Sequence, residues 1–303
     1  MNDASRVRLG VVQPIAYWGE DAPRNLEQAL HYIHQAGALG VDLLLFPETY
    51  PGPYTDSVRY PVEDSLRAAA KDHRVGLVAG TTTETETGSG SYFVEAVVID
   101  KDGSEVGRYR RTHPVGPYVF PGGAFWDLDY KEGNEIPVFE MEWGKLGVGI
   151  CSETFVPEVA RTLALRGAEV AVFPTGILID EQNYTDNWRT MIRARSIENL
   201  MYTATTVHLL PREFLGDAAD AIDSFATGSG HTGGDAMIAA PERVLAATHE
   251  PGILTADLDL DYLRRMRATD EVISLPAPYR TIPGVLRWRR PELYASDELE
   301  PSA

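Results

Sequence analysis

Two side chains in this sequence could do chemistry together, Cys151 and Glu48. Cys151 is the only cysteine in the chain, and it ends the apolar run Leu146-Gly-Val-Gly-Ile150. A polar turn follows, and Pro157 and Glu158 then open a helix. A thiol at the end of a buried strand, ahead of a helix N-terminus, can be presented as a nucleophile, and the partial positive charge of the helix end would lower its pKa. The plainer alternative is a cysteine filling the core. Glu48 ends the run Leu43-Leu-Leu-Phe46, just after Pro47. An acid has no packing role there, and desolvation would raise its pKa as a general base requires. Its alternatives are a helix N-cap or a solvated rim carboxylate. Together the pair supplies the nucleophile and base of a cysteine hydrolase.

The elements that must position them follow from periodicity. Arg6 to Gln13 alternates and reads as a strand. Ala22 to Leu39 reads as a helix, with Leu26, Leu30, Ile33 and Gly37 on one face and Pro23 in its first turn. Asp42 to Phe46 is apolar on every side, as a strand in a covered sheet would be. A helix is expected over Ser65 to Asp72. Strands are expected at Val75 to Gly80, Phe93 to Ile99 and Glu105 to Tyr109, the last two joined by the turn Asp100-Lys-Asp-Gly103. Residues 110 to 135 show no period and read as a long functional loop. Strands at Val138 to Met141 and Lys145 to Ile150 lead into Cys151. Beyond it come a helix from Pro157 to Arg166, a strand from Val170 to Phe173, an arginine-rich helix from Thr185 to Leu200 and a strand from Tyr202 to Leu209. Strands at Ala236 to Ala240, Val244 to Ala247 and Ile253 to Leu258 follow, then a helix from Asp259 to Met266.

Gly40-Val-Asp-Leu-Leu-Leu-Phe-Pro-Glu48 is echoed by Gly167-Ala-Glu-Val-Ala-Val-Phe-Pro-Thr175, 127 residues later. The echo suggests two related βαβ halves facing each other. The fold class expected is α/β, with helices covering a mixed sheet, in one domain over residues 1–275 and an extended tail over 276–303 that could pack on a partner subunit.

Composition excludes several classes. With 44% hydrophobic and 24% charged residues the chain reads as a globular protein. A net charge of −18 argues against nucleic acid or anionic membrane as the main partner. A single cysteine excludes an internal disulfide and fits a reducing, cytoplasmic setting. The stretch Met1 to Leu9 lacks the apolar core of a secretory signal, and no apolar run is long enough to span a bilayer. His31 and His34 share a helix without a third ligand, so no metal is expected. Gly228-Ser-Gly230-His-Thr-Gly233 precedes a strand rather than a helix, so no dinucleotide is expected either, and the chain is read as needing no cofactor.

Ordered motifs along almost the whole chain resemble the nitrilase superfamily of carbon–nitrogen hydrolases. They are Gly10-Val-Val-Gln-Pro14, Leu44-Leu-Phe-Pro-Glu48, Gly107-Arg-Tyr-Arg-Arg-Thr-His113, Gly147-Val-Gly-Ile-Cys151 through Pro157-Glu158, Arg193-Ala-Arg-Ser-Ile-Glu-Asn199, Gly234-Asp-Ala-Met-Ile-Ala-Ala-Pro241 and Arg289-Arg-Pro-Glu-Leu-Tyr294. The resemblance implies a four-layer αββα sandwich, a homodimer or larger homo-oligomer built through helices, and hydrolysis of a nonpeptide carbon–nitrogen bond in a small amide or carbamoyl compound through a cysteine thioester. A nitrilase or an amide-forming acyltransferase of the same fold is the first alternative, and a catalytically weak binding or scaffold homologue is the second. The resemblance puts the base on Glu48, the nucleophile on Cys151 and an oxyanion donor on the Ser152 N–H. Glu153 fills the acidic position two beyond the nucleophile and is expected, with Ser152, Tyr54, Trp126 and Thr175, among the oxyanion- and substrate-binding residues.

The chain departs from the family pattern at several places. Arg111 stands where a catalytic lysine is usual, and it remains cationic with a larger, flatter head. Asp127 is the carboxylate nearest the place of a second glutamate. Ser152 replaces a residue that is usually aromatic. Lys131 is a remote substitute for the missing lysine. The pocket expected from position comprises Tyr50, Tyr54, Tyr118, Phe120, Trp126 and Thr175.

Overall fold

The computed structural model describes residues 5–54, 58–113, 129–176, 184–211, 213, 234–268 and 289–294. Its first half runs β1 (Arg6–Gln13), α1 (Arg24–Ala38), β2 (Leu43–Leu45), α2 (Glu63–His73), β3 (Gly76–Glu84), β4 (Ser91–Ile99), β5 (Glu105–Arg110) and β6 (Asp129–Lys131). Its second half runs β7 (Val138–Met141), β8 (Gly144–Val148), α3 (Pro157–Leu165), β9 (Val170–Pro174), α4 (Tyr184–Asn199), β10 (Tyr202–Thr206), β11 (Ala236–Ala239), β12 (Val244–Thr248), β13 (Gly252–Asp259) and α5 (Leu260–Ala268).

The strands form two sheets. One has the order β13-β1-β2-β3-β4-β5, with β6 added beside β4; the other has the order β12-β11-β10-β9-β8-β7. In the first, β1, β2 and β3 are parallel and β4 and β5 return antiparallel. In the second, β8, β9 and β10 are parallel and β11 and β12 return antiparallel. The outer neighbours β13 and β7 pair antiparallel with β1 and β8. One topology is therefore used twice, and the echoed segments hold the same place in each copy, β2 in one sheet and β9 in the other.

Side-chain alternation explains the layering. Leu43 and Leu45 of β2 and Val170 and Val172 of β9 meet in one core between the sheets. Leu44 points the other way, into a second core with Ala29 and Ile33 of α1 and Leu66 and Ala70 of α2. Ala171 and Phe173 pack likewise against Val159 and Leu163 of α3 and Trp188 and Ile192 of α4. A strand whose successive residues face two different cores must be apolar throughout, which is why these runs show no alternation. The result is a four-layer αββα sandwich.

Several boundaries move. Helix α1 begins at Arg24, with Pro23 at its N-cap rather than inside its first turn. The stretch expected to be loop contains β6, which pairs parallel with Ser91 to Phe93. Strand β10 stops at Thr206, because the chain then crosses toward β1: the Leu209 N–H donates to Pro14 O and the Ala16 N–H to Leu209 O, both across the gap between the sheets. Arginines of α4 pair with acids, Arg189 with Asp235 and Arg195 with Glu198. The Gly228–Gly233 stretch and all of the tail except 289–294 lie outside the described residues. Among the described residues no helix is long and apolar enough to cross a membrane.

The two halves touch where β2 and β9 end, and the contact is tight. The Glu48 N–H donates to Thr175 O at 3.3 Å. On the other side, Gly80 of β3 lies so close that an added Cβ would stand 2.1 Å from the Thr49 nitrogen. Gly80→Ala is therefore expected to push the 48–49 turn aside, at a cost of about 1–3 kcal/mol as in other overpacked sites. Thermal unfolding together with turnover measures it, and an unchanged Tm with full activity would contradict this account.

Candidate active site

Four chain segments end at one place, and each has a local reason to stop there. Strand β8 leaves its ladder at Val148. The Gly149 N–H still donates to Val172 O at 3.0 Å, but the Ile150 N–H turns to Glu153 Oε2 at 2.6 Å. Cys151 follows with φ +53°, left-handed backbone that a non-glycine residue adopts at a cost of roughly 1–2 kcal/mol. It opens a short 3-10 turn, Cys151–Phe155, and α3 starts only at Pro157. The thiol is thus separated from the α-helix end that was expected to stabilise its anion. Burial pushes Cys151 up to about 12, the Glu48 carboxylate adds to this, and Arg111 opposes it. The expectation of a lowered thiol pKa is corrected: burial and the neighbouring carboxylate act to keep the thiol protonated.

Glu48 follows β2 and is only 2% exposed. The Cys151 thiol and the Gly176 N–H both act to lower its titration, and the same N–H lowers that of the thiol, so the three groups are neighbours. Burial raises the carboxyl above the ordinary glutamate range even though Arg111, the thiol and Gly176 pull it down. Its main chain is equally constrained. The Glu48 carbonyl accepts from Thr49 Oγ1 at 2.8 Å and from His208 Nε2 at 2.7 Å.

Arg111 lies one residue beyond β5. Its N–H donates to Val94 O at 2.9 Å, which carries the edge of the sheet one position further. The guanidinium is 4% exposed and its fork is divided. Nη1 donates to Glu48 Oε1 at 2.7 Å, Nη2 to Ser152 Oγ at 2.6 Å and Nε to His113 O at 3.1 Å. Of the five N–H groups an arginine carries, one on each terminal nitrogen is left after these bonds. Glu48, Cys151 and Glu153 keep Arg111 cationic against the opposing effect of burial.

Glu153 has a different place from the one expected. It is fully buried, and both of its oxygens are taken up by the protein. Oε1 accepts from Tyr109 OH at 2.7 Å, Thr112 N at 2.8 Å, Thr112 Oγ1 at 2.6 Å and His113 N at 3.0 Å, while Oε2 accepts from Ile150 N. The carboxylate ties the segment that carries Arg111 to the turn that carries Cys151. A group with its lone pairs so committed has little acceptor capacity left for any other molecule.

The expected pocket is brought together only in part. Tyr54 is buried behind Glu48, stacked on Trp18 with centroids 4.4 Å apart. Tyr50 is buried too, and its hydroxyl donates to Gln28 Oε1 of α1 at 2.7 Å, so it faces the helix layer. Thr175 turns its hydroxyl back onto Phe173 O at 3.2 Å and contributes its carbonyl to Glu48. Lys131 is exposed on β6, away from Arg111's place in the cluster. Asp127, Trp126, Tyr118 and Phe120 lie outside the described residues. Sequence reasoning missed His208, Gly176 and Tyr130. Tyr130 is half-buried on β6, within electrostatic reach of Arg111, Glu48 and Cys151. Among the described residues no group of three or more His, Cys, Asp or Glu could hold a metal.

A four-layer sandwich with a cysteine, a glutamate and a cation gathered where its two βαβ units meet is the layout of a hydrolase rather than of a binding scaffold. The carbon–nitrogen hydrolase family model matches residues 8–268, and the chain belongs to that family, within the nitrilase superfamily. Amidases are among its relatives. It is 26% identical to an N-carbamoylputrescine amidase of Arabidopsis thaliana over 97% of each chain. It is also 26% identical to an omega-amidase of Xenopus tropicalis over 97% of this chain and 99% of the other. The crystal structure of a carbon–nitrogen hydrolase from Helicobacter pylori superposes with a TM-score of 0.73 at 25% identity, covering 95% of this chain and 97% of that one.

Removing the Glu153 carboxylate would leave several buried donors without an acceptor, each costing about 1–3 kcal/mol. Glu153→Ala is expected to lower stability by roughly 3 kcal/mol or more, within the range for uncompensated buried polar groups. Chemical denaturation measures this, and a loss below about 1 kcal/mol would show that the brace is not needed.

Proposed function

We propose that this carbon–nitrogen hydrolase cleaves a small amide or carbamoyl compound through a thioester on Cys151. The observation that carries the reading is the shared environment of the Cys151 thiol and the Glu48 carboxyl. Both lie under the Gly176 N–H, with Arg111 fixed to Glu48 on one arm and to Ser152 on the other. The two relatives described above, named for a carbamoyl and an amide substrate, fit the same bond type.

In this reading the ionised Glu48 takes the thiol proton as Sγ attacks the carbonyl carbon. The carbon–oxygen double bond opens, and negative charge on oxygen is met by a free N–H of Arg111 and by the Ser152 N–H. Glu48, now protonated, gives its proton to the departing nitrogen as the carbon–nitrogen bond breaks and the thioester forms. Water then attacks the thioester carbon as Glu48 accepts one of its protons, the carbon–sulfur bond breaks as the carbonyl re-forms, and Glu48 returns that proton to sulfur as the acid leaves. A neutral resting thiol suits this sequence, because Cys151 is deprotonated only when an acceptor carbon is in place. A raised carboxyl suits it equally, because one group must act as base and then as acid near neutral pH.

Ammonia release from a panel of simple amides, carbamoyl amines and nitriles tests the class of bond. Intact mass after rapid quenching should show an acyl adduct in the wild-type protein and none in Cys151→Ala, and an adduct that survives in Cys151→Ala would exclude the mechanism. Glu48→Gln should lower kcat about 10²- to 10⁴-fold, the usual worth of a positioned acid–base group. Arg111→Lys should retain a wild-type profile only if a point charge suffices. The divided fork predicts instead a loss of at least about tenfold in kcat/KM, since lysine has no second arm for Ser152.

A further inference from the structure

We propose that His208 is a positioning residue of this site, holding together the two strand ends that carry Glu48 and Gly176. The inference rests on the reading of Glu48 as the acid–base group. His208 lies just beyond β10 and is 2% exposed. Its Nε2 faces the Glu48 carbonyl at 2.7 Å, and a carbonyl can only accept, so Nε2 carries the hydrogen. Its own N–H donates to Gly176 O at 2.9 Å. One residue therefore grips the peptide of Glu48 through its ring and the peptide of Gly176 through its main chain. These are the two ends, of β2 in one sheet and β9 in the other, whose groups converge on Cys151.

The surroundings make the grip rigid. The ring lies edge-on to Trp18 and Tyr54, with centroids 6.0 and 5.4 Å away, and tilted against Tyr50 at 5.8 Å. Burial holds the imidazole at about 4, so it is neutral at neutral pH and keeps one fixed tautomer. Nδ1 is buried without a hydrogen-bond partner among the described residues. An imidazole kept in an aromatic cage with one nitrogen unsatisfied serves through its other nitrogen, since an apolar ring would fill the same space without that desolvation cost. What it restrains is strained: Thr49, next to the gripped carbonyl, has φ +51°. Without the ring's N–H, only the Thr49 hydroxyl among the described side chains would hold that carbonyl, and the 48–49 peptide could rotate. The Glu48 carboxyl would then drift from Cys151, whose other charged neighbour is Arg111, with the Tyr130 phenol nearby.

The test uses the single cysteine, because alkylation of the folded full-length chain reports on Cys151 alone. Alkylation by iodoacetamide is followed from pH 7 to pH 10. In the wild-type protein the rate should keep rising with pH, since the thiol titrates near 12. His208→Asn keeps an amide but falls short of the Glu48 carbonyl. Without the Glu48 charge beside it, Cys151 should titrate at least about one pH unit lower, giving about tenfold faster alkylation at pH 8. His208→Gln, whose Nε2 can occupy the imidazole position, should restore the wild-type profile, and His208→Leu should behave as the asparagine variant. If the leucine variant does not fold, the asparagine and glutamine pair decides. Asparagine and glutamine variants that are both folded and share one profile would overturn the proposal. Glu48→Gln separates the two readings. A lowered titration there with an unmoved His208→Asn profile removes only the role of His208, while an unmoved Glu48→Gln profile removes the coupling of Glu48 to Cys151 itself.

Discussion

The buried ion pair between Arg111 Nη1 and Glu48 Oε1, 2.7 Å apart and nearly free of solvent, is the constraint around which the rest of the molecule is arranged. Two opposite charges withdrawn from water are tolerated only when their remaining hydrogen-bonding capacity is also met. Here the remainder is distributed over the site. Ser152 and the His113 carbonyl take other N–H groups of the arginine, and the thiol and the Gly176 N–H take the carboxyl. These partners are delivered by three strand ends, those of β5, β8 and β9. The pair itself joins two strand ends of one sheet, and its full set of neighbours is met only with the second sheet in register.

That dependence explains the doubled topology. A βαβ unit leaves the C-terminal ends of its parallel strands open for side chains that bind or react. Two such units packed face to face bring two sets of strand ends to one seam. Glu48 comes from one unit and Cys151 from the other, and the hydrogen bond from the Glu48 N–H to Thr175 O joins the echoed strands directly. Hydrophobic burial between the sheets through Leu43, Leu45, Val170 and Val172 thereby sets the distance between a carboxyl and a thiol far apart in sequence.

Cys151, Glu48 and Arg111 were legible in the sequence because each ends a run whose apolar pattern is visible, or sits in a motif of the family. The fold was legible for a related reason, since fully apolar runs such as Leu43 to Leu45 imply a sheet covered on both faces. What stayed hidden depends on contacts between distant residues. His208 lies 160 positions from the carbonyl it holds, and nothing in Val207-His-Leu-Leu210 distinguishes it from an ordinary strand residue. Strand β6 has three residues and pairs with a distant partner, too little for any period to register. Glu153 lies two residues beyond Cys151 with both oxygens held by the protein, which was not legible because five converging donors cannot be seen from spacing alone. The thiol pKa was misjudged because burial and the Glu48 charge push it up, while an unforeseen 3-10 turn separates Cys151 from the helix end.

The raised thiol has a consequence for the life of the protein between turnovers. Oxidants and stray electrophiles attack thiolates, and they attack protonated sulfur slowly. With its titration pushed up to about 12 by burial and the Glu48 charge, Cys151 is held toward the thiol form. The same burial that denies the sulfur a free negative charge keeps the one cysteine of the chain chemically quiet. A permanently ionised cysteine would invite the oxidative ageing that a protonated one resists.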